Sequence, residues 1–262
     1  MNKLFVIKIG GNVLDNEQAL ASFLSDFASI KENKILIHGG GKIATKIGEQ
    51  LGIQSNYVNG RRITDEATRD LVTMVYGGLI NKQLVTKLQA LNCNALGLTG
   101  ADGNSIKATK RPIKEIDYGF VGDVVSENVN VNLIGTLLQQ NISLVFAPLT
   151  YADGNMLNTN ADTVASVLAV ALSKQYDTRL IFCFEKKGVL KDVNKEDSVI
   201  TKIDSAIYHQ LLKDGALADG ILPKLENAFA AIQQGVKEVL IGHAADLLTN
   251  IQEKTKGTLI TN

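Results

Sequence analysis

The chain has 262 residues, of which 45% are hydrophobic and 21% charged, and Lys+Arg and Asp+Glu are both 27. This is the balance of an ordinary globular protein, long enough for one large domain or two small lobes with no disulfide or metal staple. A formal net charge of zero argues against a broad nucleic-acid or membrane-surface footprint. The longest apolar stretch, residues 163–172, is too short to span a bilayer. Met1-Asn2-Lys3 leads straight into a strand-like run, so no signal peptide is expected. Cys93 and Cys183 form no CxxC and sit in apolar runs; they read as buried free thiols in a reducing compartment, and the cytoplasm follows as the expected location.

Short apolar runs at 4–9, 34–38, 95–99, 142–146, 180–184 and 238–241 predict strands. Amphipathic segments at 17–28, 42–51, 81–91, 132–140, 161–172 and 224–233 predict helices between them. Buried strands alternating with helices imply an α/β fold with a mainly parallel sheet covered on both faces. Residues 104–126 and 149–160 are polar and glycine-containing, and read as hairpins at the edge of the first half. The expected division is an N-terminal lobe, residues 1–172, and a C-terminal lobe, residues 173–262.

Five segments carry candidate chemistry. In Lys8-Ile9-Gly10-Gly11-Asn12 an apolar strand ends in two glycines, which let backbone N–H groups approach an anion. A lysine inside a buried strand is costly unless it meets a negative charge; the alternative is an exposed strand-end lysine beside a plain turn. His38-Gly39-Gly40-Gly41-Lys42 joins a strand to a helix, a placement suited to phosphate or carboxylate. It also satisfies G-x-G-x-x-A with Ala44 last, whereas the P-loop pattern is absent. Asn59-Gly60-Arg61-Arg62 can present a guanidinium fork to a carboxylate, or two solvated arginines. In Asn158-Thr159-Asn160-Ala161-Asp162 either asparagine can cap the helix that follows, with Asp162 in its first turn. In Asp219-Gly220-Ile221-Leu222-Pro223-Lys224 the proline suits a helix start, so Lys224 sits at a helix N-terminus. A cation there opposes the dipole unless an anion compensates it. The three histidines show no metal-ligand spacing, His38 reads as structural, and G-x-S-x-G is absent.

Taken in order, these segments and Leu98-Thr99-Gly100-Ala101-Asp102-Gly103 resemble the amino-acid kinase family over essentially the whole chain, in the branch that acts on N-acylated glutamate. Sister kinases of aspartate, uridylate, carbamate and glutamate are less similar at the first and third segments. The resemblance implies a three-layer αβα sandwich around an open, mainly parallel sheet. It implies transfer of a phosphoryl group from ATP, with Mg²⁺ held mainly by the nucleotide and no protein metal site, to the γ-carboxylate of N-acetyl-L-glutamate, early in arginine biosynthesis; the extra cation Arg61 adds N-succinyl-L-glutamate as an expected substrate, because its acyl group ends in a second carboxylate. By motif, Lys8 and Lys224 contact the transferring phosphoryl group and Asp162 orients both. Gly10, Gly11, Gly40 and Gly41 supply backbone N–H groups, and Arg62 and Asn158 hold the substrate's α-carboxylate and acyl amide. The N-terminal lobe binds the acylated amino acid and the C-terminal lobe ATP. A homodimer without arginine feedback is expected, because the first strand begins by Lys3 and leaves no N-terminal helix. The sequence departs from the family at Glu185-Lys186-Lys187-Gly188, where a D-V-x-G-like run is usual, and Arg61 stands where an apolar residue is more common.

The competing readings are an NAD(P)-dependent Rossmann oxidoreductase, resting on Gly39, Gly41 and Ala44 but weakened because the loop follows the second strand and the acidic candidates Asp65 and Glu66 fall late, and a catalytically silent amino-acid sensor, against which the presence of both Lys8 and Lys224 argues. N-acyl-aminoadipate remains a close substrate alternative. An acceptor that is already an anion near neutral pH needs no general base, which suits a chain without a histidine constellation.

Overall fold

A computed structural model describes residues 1–192, 194–213 and 221–262, without the side chain of Pro223. Its frame is an 8-stranded sheet. The strands are β1 (Lys3–Ile9), β2 (Asn33–His38), β3 (Ala95–Leu98), β4 (Ser143–Phe146), β5 (Asp177–Phe184), β6 (Lys202–Ile203), β7 (Glu238–His243) and β8 (Thr258–Ile260). Their spatial order is β6-β8-β7-β5-β1-β2-β4-β3. Only the β7–β8 pairing is antiparallel within this sheet. The chain thus starts in the middle, builds one wing with β2–β4 and then the other with β5–β8. In such sheets the crevice outside the carboxyl ends of the strands, where the winding reverses, is the natural ligand site.

Helices cover both faces. α1 (Gly11–Asp15), α2 (Glu17–Ser29), α3 (Gly41–Gln50) and α4 (Glu66–Val72) come first, and α4 runs through a π-helical stretch, Thr73–Ile80, into α5 (Asn81–Ala90). Odd-numbered residues of β1, Phe5, Ile7 and Ile9, face these elements and pack with Phe23, Phe27, Leu71, Tyr76 and Leu84. Even-numbered Leu4 and Val6 face the other layer, built from α6 (Val131–Gln139), α7 (Ala161–Leu172) and α9 (Leu222–Gln233). Between β6 and α9 lies α8 (Ser205–Lys213). Period-two alternation in one strand therefore serves two cores at once.

Two antiparallel hairpins, Leu149–Ala152 with Asn155–Asn158 and Thr109–Lys110 with Gly122–Asp123, occupy the two segments read as hairpins. A third pairs Tyr57–Val58 with Arg61–Arg62. The expected helix at 161–172 matches α7 residue for residue. The expectations miss α4 and the π-helical stretch, where Gly77 and Gly78 dilute the helical signal. They also miss β6 and β8, which are two and three residues long.

Two strand lysines are buried, and their surroundings differ. Lys34, near the start of β2, donates to Ala28 O at 3.0 Å and Ile30 O at 2.7 Å, and its ammonium lies 5.1 Å from the Phe27 ring centroid. A cation on the last carbonyls of α2 is favourable for the helix. Lys8, at the other end of the sheet on β1, bonds to no such carbonyls and is considered with the site. We therefore expect Lys34→Met to lower unfolding free energy by about 1–3 kcal/mol, measured in urea, because helix-end carbonyls lose their donor. Turnover is expected to be unchanged; a fall in kcat without loss of stability would contradict the structural role.

Candidate active site

The carboxyl ends of β1 and β2 continue into glycines that open α1 and α3. Gly39 N–H donates to Ile9 O at 3.2 Å, which locks the two loops side by side. His38 beneath them is fully buried, and burial pushes its pKa down to about 4. The ring is therefore neutral; Nδ1–H donates to Gly39 O at 2.7 Å, and Nε2 is left to face Asn81 Nδ2 at 3.4 Å. His38 holds the loop's shape, as its structural reading expected.

The four glycines singled out by sequence differ in why they are glycine. Gly40 has a φ of +156°, which L side chains rarely adopt, and a Cβ on it would lie 2.5 Å from Ile80 Cδ1 and 2.9 Å from Tyr76 Cδ1, so backbone and packing together favour glycine there. At Gly10 and Gly11 the nearest atoms to a built Cβ are 3.9 and 4.0 Å away, and at Gly41 there is nothing within 4 Å. Packing does not require these three; what they leave open is the space above the backbone.

Arg62 is buried, yet among the described residues it has no carboxylate partner. Its guanidinium donates through Nη2 to Gly41 O at 2.9 Å and Thr45 Oγ1 at 3.0 Å, and through Nη1 to Ser55 Oγ. It lies 4.8 Å from the Tyr57 ring centroid. A buried cation without a counter-ion is costly, and these bonds fix its fork without neutralising it. Asn158 donates to the buried Thr64 hydroxyl at 3.1 Å. The helix-capping asparagine is Asn160, whose Oδ1 accepts from the N–H groups of Asp162 at 2.8 Å and Thr163 at 3.1 Å. Arg62, Asn158, Gly40, Gly41, Tyr57 and Tyr76 share the wall of one cavity of about 220 Å³. Arg61 lines it as well, although adjacent strand residues ordinarily point to opposite faces. The hairpin bearing the two arginines is only two residues deep, so its pleat does not separate them. Tyr57 and Tyr76 were missed in the sequence: one falls in a two-residue strand and the other in the π-helical stretch.

The cavity wall ends at Ala161, beside Asp162. Lys8 Nζ lies 2.8 Å from Asp162 Oδ1, which is buried and has no other hydrogen-bonding partner among the described residues. Lys224, in the first turn of α9, brings its ammonium to 3.6 Å from the Phe184 ring centroid, and Lys8 Nζ lies 5.3 Å from the same centroid. Burial lowers the pKa of Lys224; Asp162 and, more weakly, Glu185 oppose that shift, while Lys8 adds to it. The two lysines and the aspartate are thus one electrostatic cluster, assembled from β1, α7 and α9. Asp219 and Gly220 of the last motif lie outside the described residues.

The departure at 185–187 does not crowd the cluster with three new charges. Lys187 turns to Asp197 at 2.7 Å in solvent, and that contact raises its pKa. Asp102 accepts from Thr99 N–H at 2.6 Å and Thr99 Oγ1 at 2.8 Å, closing the turn after β3 rather than lining the cavity. Asp65, the ribose acid that a dinucleotide reading needs, is spent on capping α4 through Thr68 N at 2.8 Å. Among the described residues no group of three or more His, Cys, Asp or Glu is placed to hold a metal ion. Nor, among those residues, is any helix long and apolar enough to cross a membrane.

Comparison with known proteins places this arrangement. Residues 3–243 match the Amino acid kinase family. The chain is 56% identical to an acetylglutamate kinase of Cytophaga hutchinsonii over 266 aligned residues, covering all of both chains. In three dimensions it is similar to an N-acetylglutamate synthase from Neisseria gonorrhoeae, with a TM-score of 0.82 at 19% identity over all of this chain and 59% of that one. It is also similar to carbamate kinase from Giardia lamblia, with a TM-score of 0.73 at 16% identity over 100% of this chain and 98% of that one. At those identities the structural likenesses speak for the fold alone, an open sheet with helices on both faces. The family match and the full-length sequence relative decide the rest: the chain belongs to the amino acid kinase family.

Proposed function

We propose that this protein transfers the γ-phosphoryl group of ATP to the γ-carboxylate of N-acetyl-L-glutamate, as a cytoplasmic step of arginine biosynthesis. The observation that carries the reading is the cluster of Lys8, Asp162 and Lys224 at one end of a cavity that holds a buried, uncompensated arginine at its wall. The relative of Cytophaga hutchinsonii, an acetylglutamate kinase of the same extent, supports the same substrate.

The chemistry follows from charge. The acceptor carboxylate is ionised near neutral pH, its ordinary pKa being about 4.3, so no base is required. A carboxylate oxygen bonds to the γ-phosphorus while the bond to the β,γ-bridging oxygen breaks, and ADP leaves with that electron pair. Two anions must be brought together in line, and catalysis is positioning plus neutralisation of the phosphoryl oxygens. Lys8 and Lys224 supply the positive charge, and Asp162 fixes Lys8 so that little reorganisation is needed during the reaction. Gly10, Gly11, Gly40 and Gly41 offer N–H groups to phosphate and carboxylate oxygens. Arg62 takes the α-carboxylate, and Asn158 the acyl amide. Magnesium arrives on the nucleotide's phosphates and supplies further charge neutralisation. On this reading residues 1–172 form the acyl-amino-acid half and residues 173–262 the nucleotide half, meeting between β1 and β5.

Arg61 supports a second acyl group. With Arg61 on the wall of the same cavity as Arg62, two cations border the acyl site. A neutral acetyl group needs one of them, for the α-carboxylate, whereas a succinyl group brings a second carboxylate. The subunits are proposed to pair as a homodimer through the β3 edge. Among the described residues that strand is unpaired on its outer side and exposes Leu96; α5 packs against it, and the π-helical stretch that leads into α5 exposes Met74 and Leu79. Exposed edges with apolar side chains are usually covered.

Four outcomes are expected. ADP release over a panel of N-acyl glutamates and N-acyl-aminoadipate, with hydroxylamine trapping the acyl phosphate, should show glutamate derivatives turned over and the longer homologue slow. Lys8→Ala and Lys224→Ala should each lower kcat by about 10²–10³; Lys224→Ala should leave the melting temperature little changed, whereas Lys8→Ala should also lower it, because Asp162 loses its partner. Near-normal turnover would remove that lysine from the mechanism. For the acyl group, N-succinyl-L-glutamate should match or exceed N-acetyl-L-glutamate in kcat/KM, and Arg61→Leu should reduce the succinyl substrate selectively. Equal effects on both would leave acetylglutamate as the plain assignment. Light scattering should give the mass of two chains, and Met74→Glu with Leu79→Glu should give one; a wild-type monomer would refute the pairing.

A further inference from the structure

Phe184 is the last residue of β5, and its ring touches both lysines of the cluster. Strand alternation puts it on the face of Phe182 and Leu180, the face toward α7 and α9. The ring stacks on Phe182 at 6.2 Å between centroids with an interplanar angle of 20°, and Phe182 is core. The platform therefore cannot swing freely. Lys224 Nζ stands 3.6 Å from its centroid, well inside the range in which the ring quadrupole attracts an ammonium. Among the described residues no carboxylate forms an ion pair with Lys224. Asp162, the nearest acid by influence, is already taken by Lys8 at 2.8 Å. The groups that act electrostatically on Lys224 are Asp162 and Glu185, which favour its charge, and Lys8, which opposes it.

Half-buried, next to another lysine and, among the described residues, without an acid of its own, Lys224 needs something to hold it. An acid in that place would compete with the phosphate for the ammonium. An aromatic face attracts a cation without adding a negative charge, so it can release the lysine to a phosphoryl oxygen at small cost. We propose that Phe184 is a positioning residue for phosphoryl transfer: its ring holds Lys224, and more distantly Lys8, at the end of β5 in the charged, aligned state before nucleotide binds. The inference rests on the kinase reading of the cluster. It predicts that the position tolerates other aromatic rings and rejects an aliphatic side chain of similar bulk.

The test compares Phe184→Leu, Phe184→Tyr and a series with mono-, di- and trifluorinated phenylalanine at 184 in the full-length protein. Fluorine withdraws density from the ring face while keeping its shape, so it separates a cation–π contact from packing. We expect Phe184→Leu to lower kcat about tenfold, equivalent to about 1.4 kcal/mol of barrier, with KM for the acylated amino acid unchanged. Phe184→Tyr should retain wild-type kcat, and fluorination should lower kcat in steps. Because the ring favours the ammonium, Phe184→Leu should also move the alkaline limb of the kcat profile to lower pH. A readout that needs no turnover is the upfield ring-current shift of the Lys224 ε-methylene protons, present in wild type and lost in Phe184→Leu. If the wild type turns over no N-acyl amino acid but keeps that shift, the kinase reading fails and the contact stands. If the wild type is active and the fluorinated series is flat, or Phe184→Leu keeps both its kcat and its alkaline limb, the positioning role is wrong. A Phe184→Leu protein that does not fold leaves the fluorinated series to decide in the same way.

Discussion

A lysine ammonium buried at the end of a parallel strand needs compensation, and at Lys8 it is a carboxylate from the first turn of a helix that supplies it. The Lys8–Asp162 contact at 2.8 Å ties β1, the central strand, to the N-terminus of α7. Much of the site's geometry follows from it. Asp162 is held by its place after the Asn160 cap, and α7 is held by an apolar face of Val164, Ala165, Leu168, Ala169 and Leu172, all fully buried. An aspartate at a helix N-terminus is also favoured by the helix dipole. The pair is therefore built into the core of the fold rather than added at its surface. Lys224 completes the cluster from α9, which lies in the same layer as α7.

The order of the strands explains why the charges meet where they do. β1 lies between the two wings of the sheet, so whatever follows β1, β2 and β5 converges on one crevice. On the β2 side that crevice receives the two glycine loops, locked by the Gly39 to Ile9 bond, and the arginine hairpin. On the β5 side it receives Phe184 and α9. An anion of the first wing and a polyanion of the second would face each other across the lysines, which is what transfer between two negatively charged partners requires. The open space over Gly10, Gly11 and Gly41 has the same sense: a Cβ there would clash with no atom of the protein and would intrude only on what binds.

Much of this was legible in the sequence because it is local. Six apolar runs mark the six longest strands of the sheet, and α7 is recognisable end to end because a cap residue precedes an apolar run. The lysines and the glycine loops stand out because each breaks a local preference: a charge in a strand, adjacent glycines at a helix start, a cation at a helix N-terminus. Asp162 stands out as the acid in the first turn of a capped apolar helix. What was not legible depends on distant contacts. That Arg62 is buried while Arg61 is exposed, with both on one cavity wall, is decided by where a two-residue hairpin lands on α3. Tyr76 reaches the cavity only because α4 continues through a π-helical stretch that its glycines disguise. Phe184 reads as one more strand residue until α9 puts Lys224 over its ring.

The central claim is that Lys8 and Lys224 together carry the charge of the transferring phosphoryl group. The most direct measurement is a crystal structure with N-acetyl-L-glutamate, magnesium, ADP and aluminium fluoride, whose planar fluoride mimics that group in transit. The account predicts both ammonium nitrogens within about 3.2 Å of fluoride ligands, Asp162 still on Lys8, and the acetylglutamate α-carboxylate on Arg62. A fluoride group held without one of the lysines, or an acylated amino acid bound away from Arg62, would contradict it.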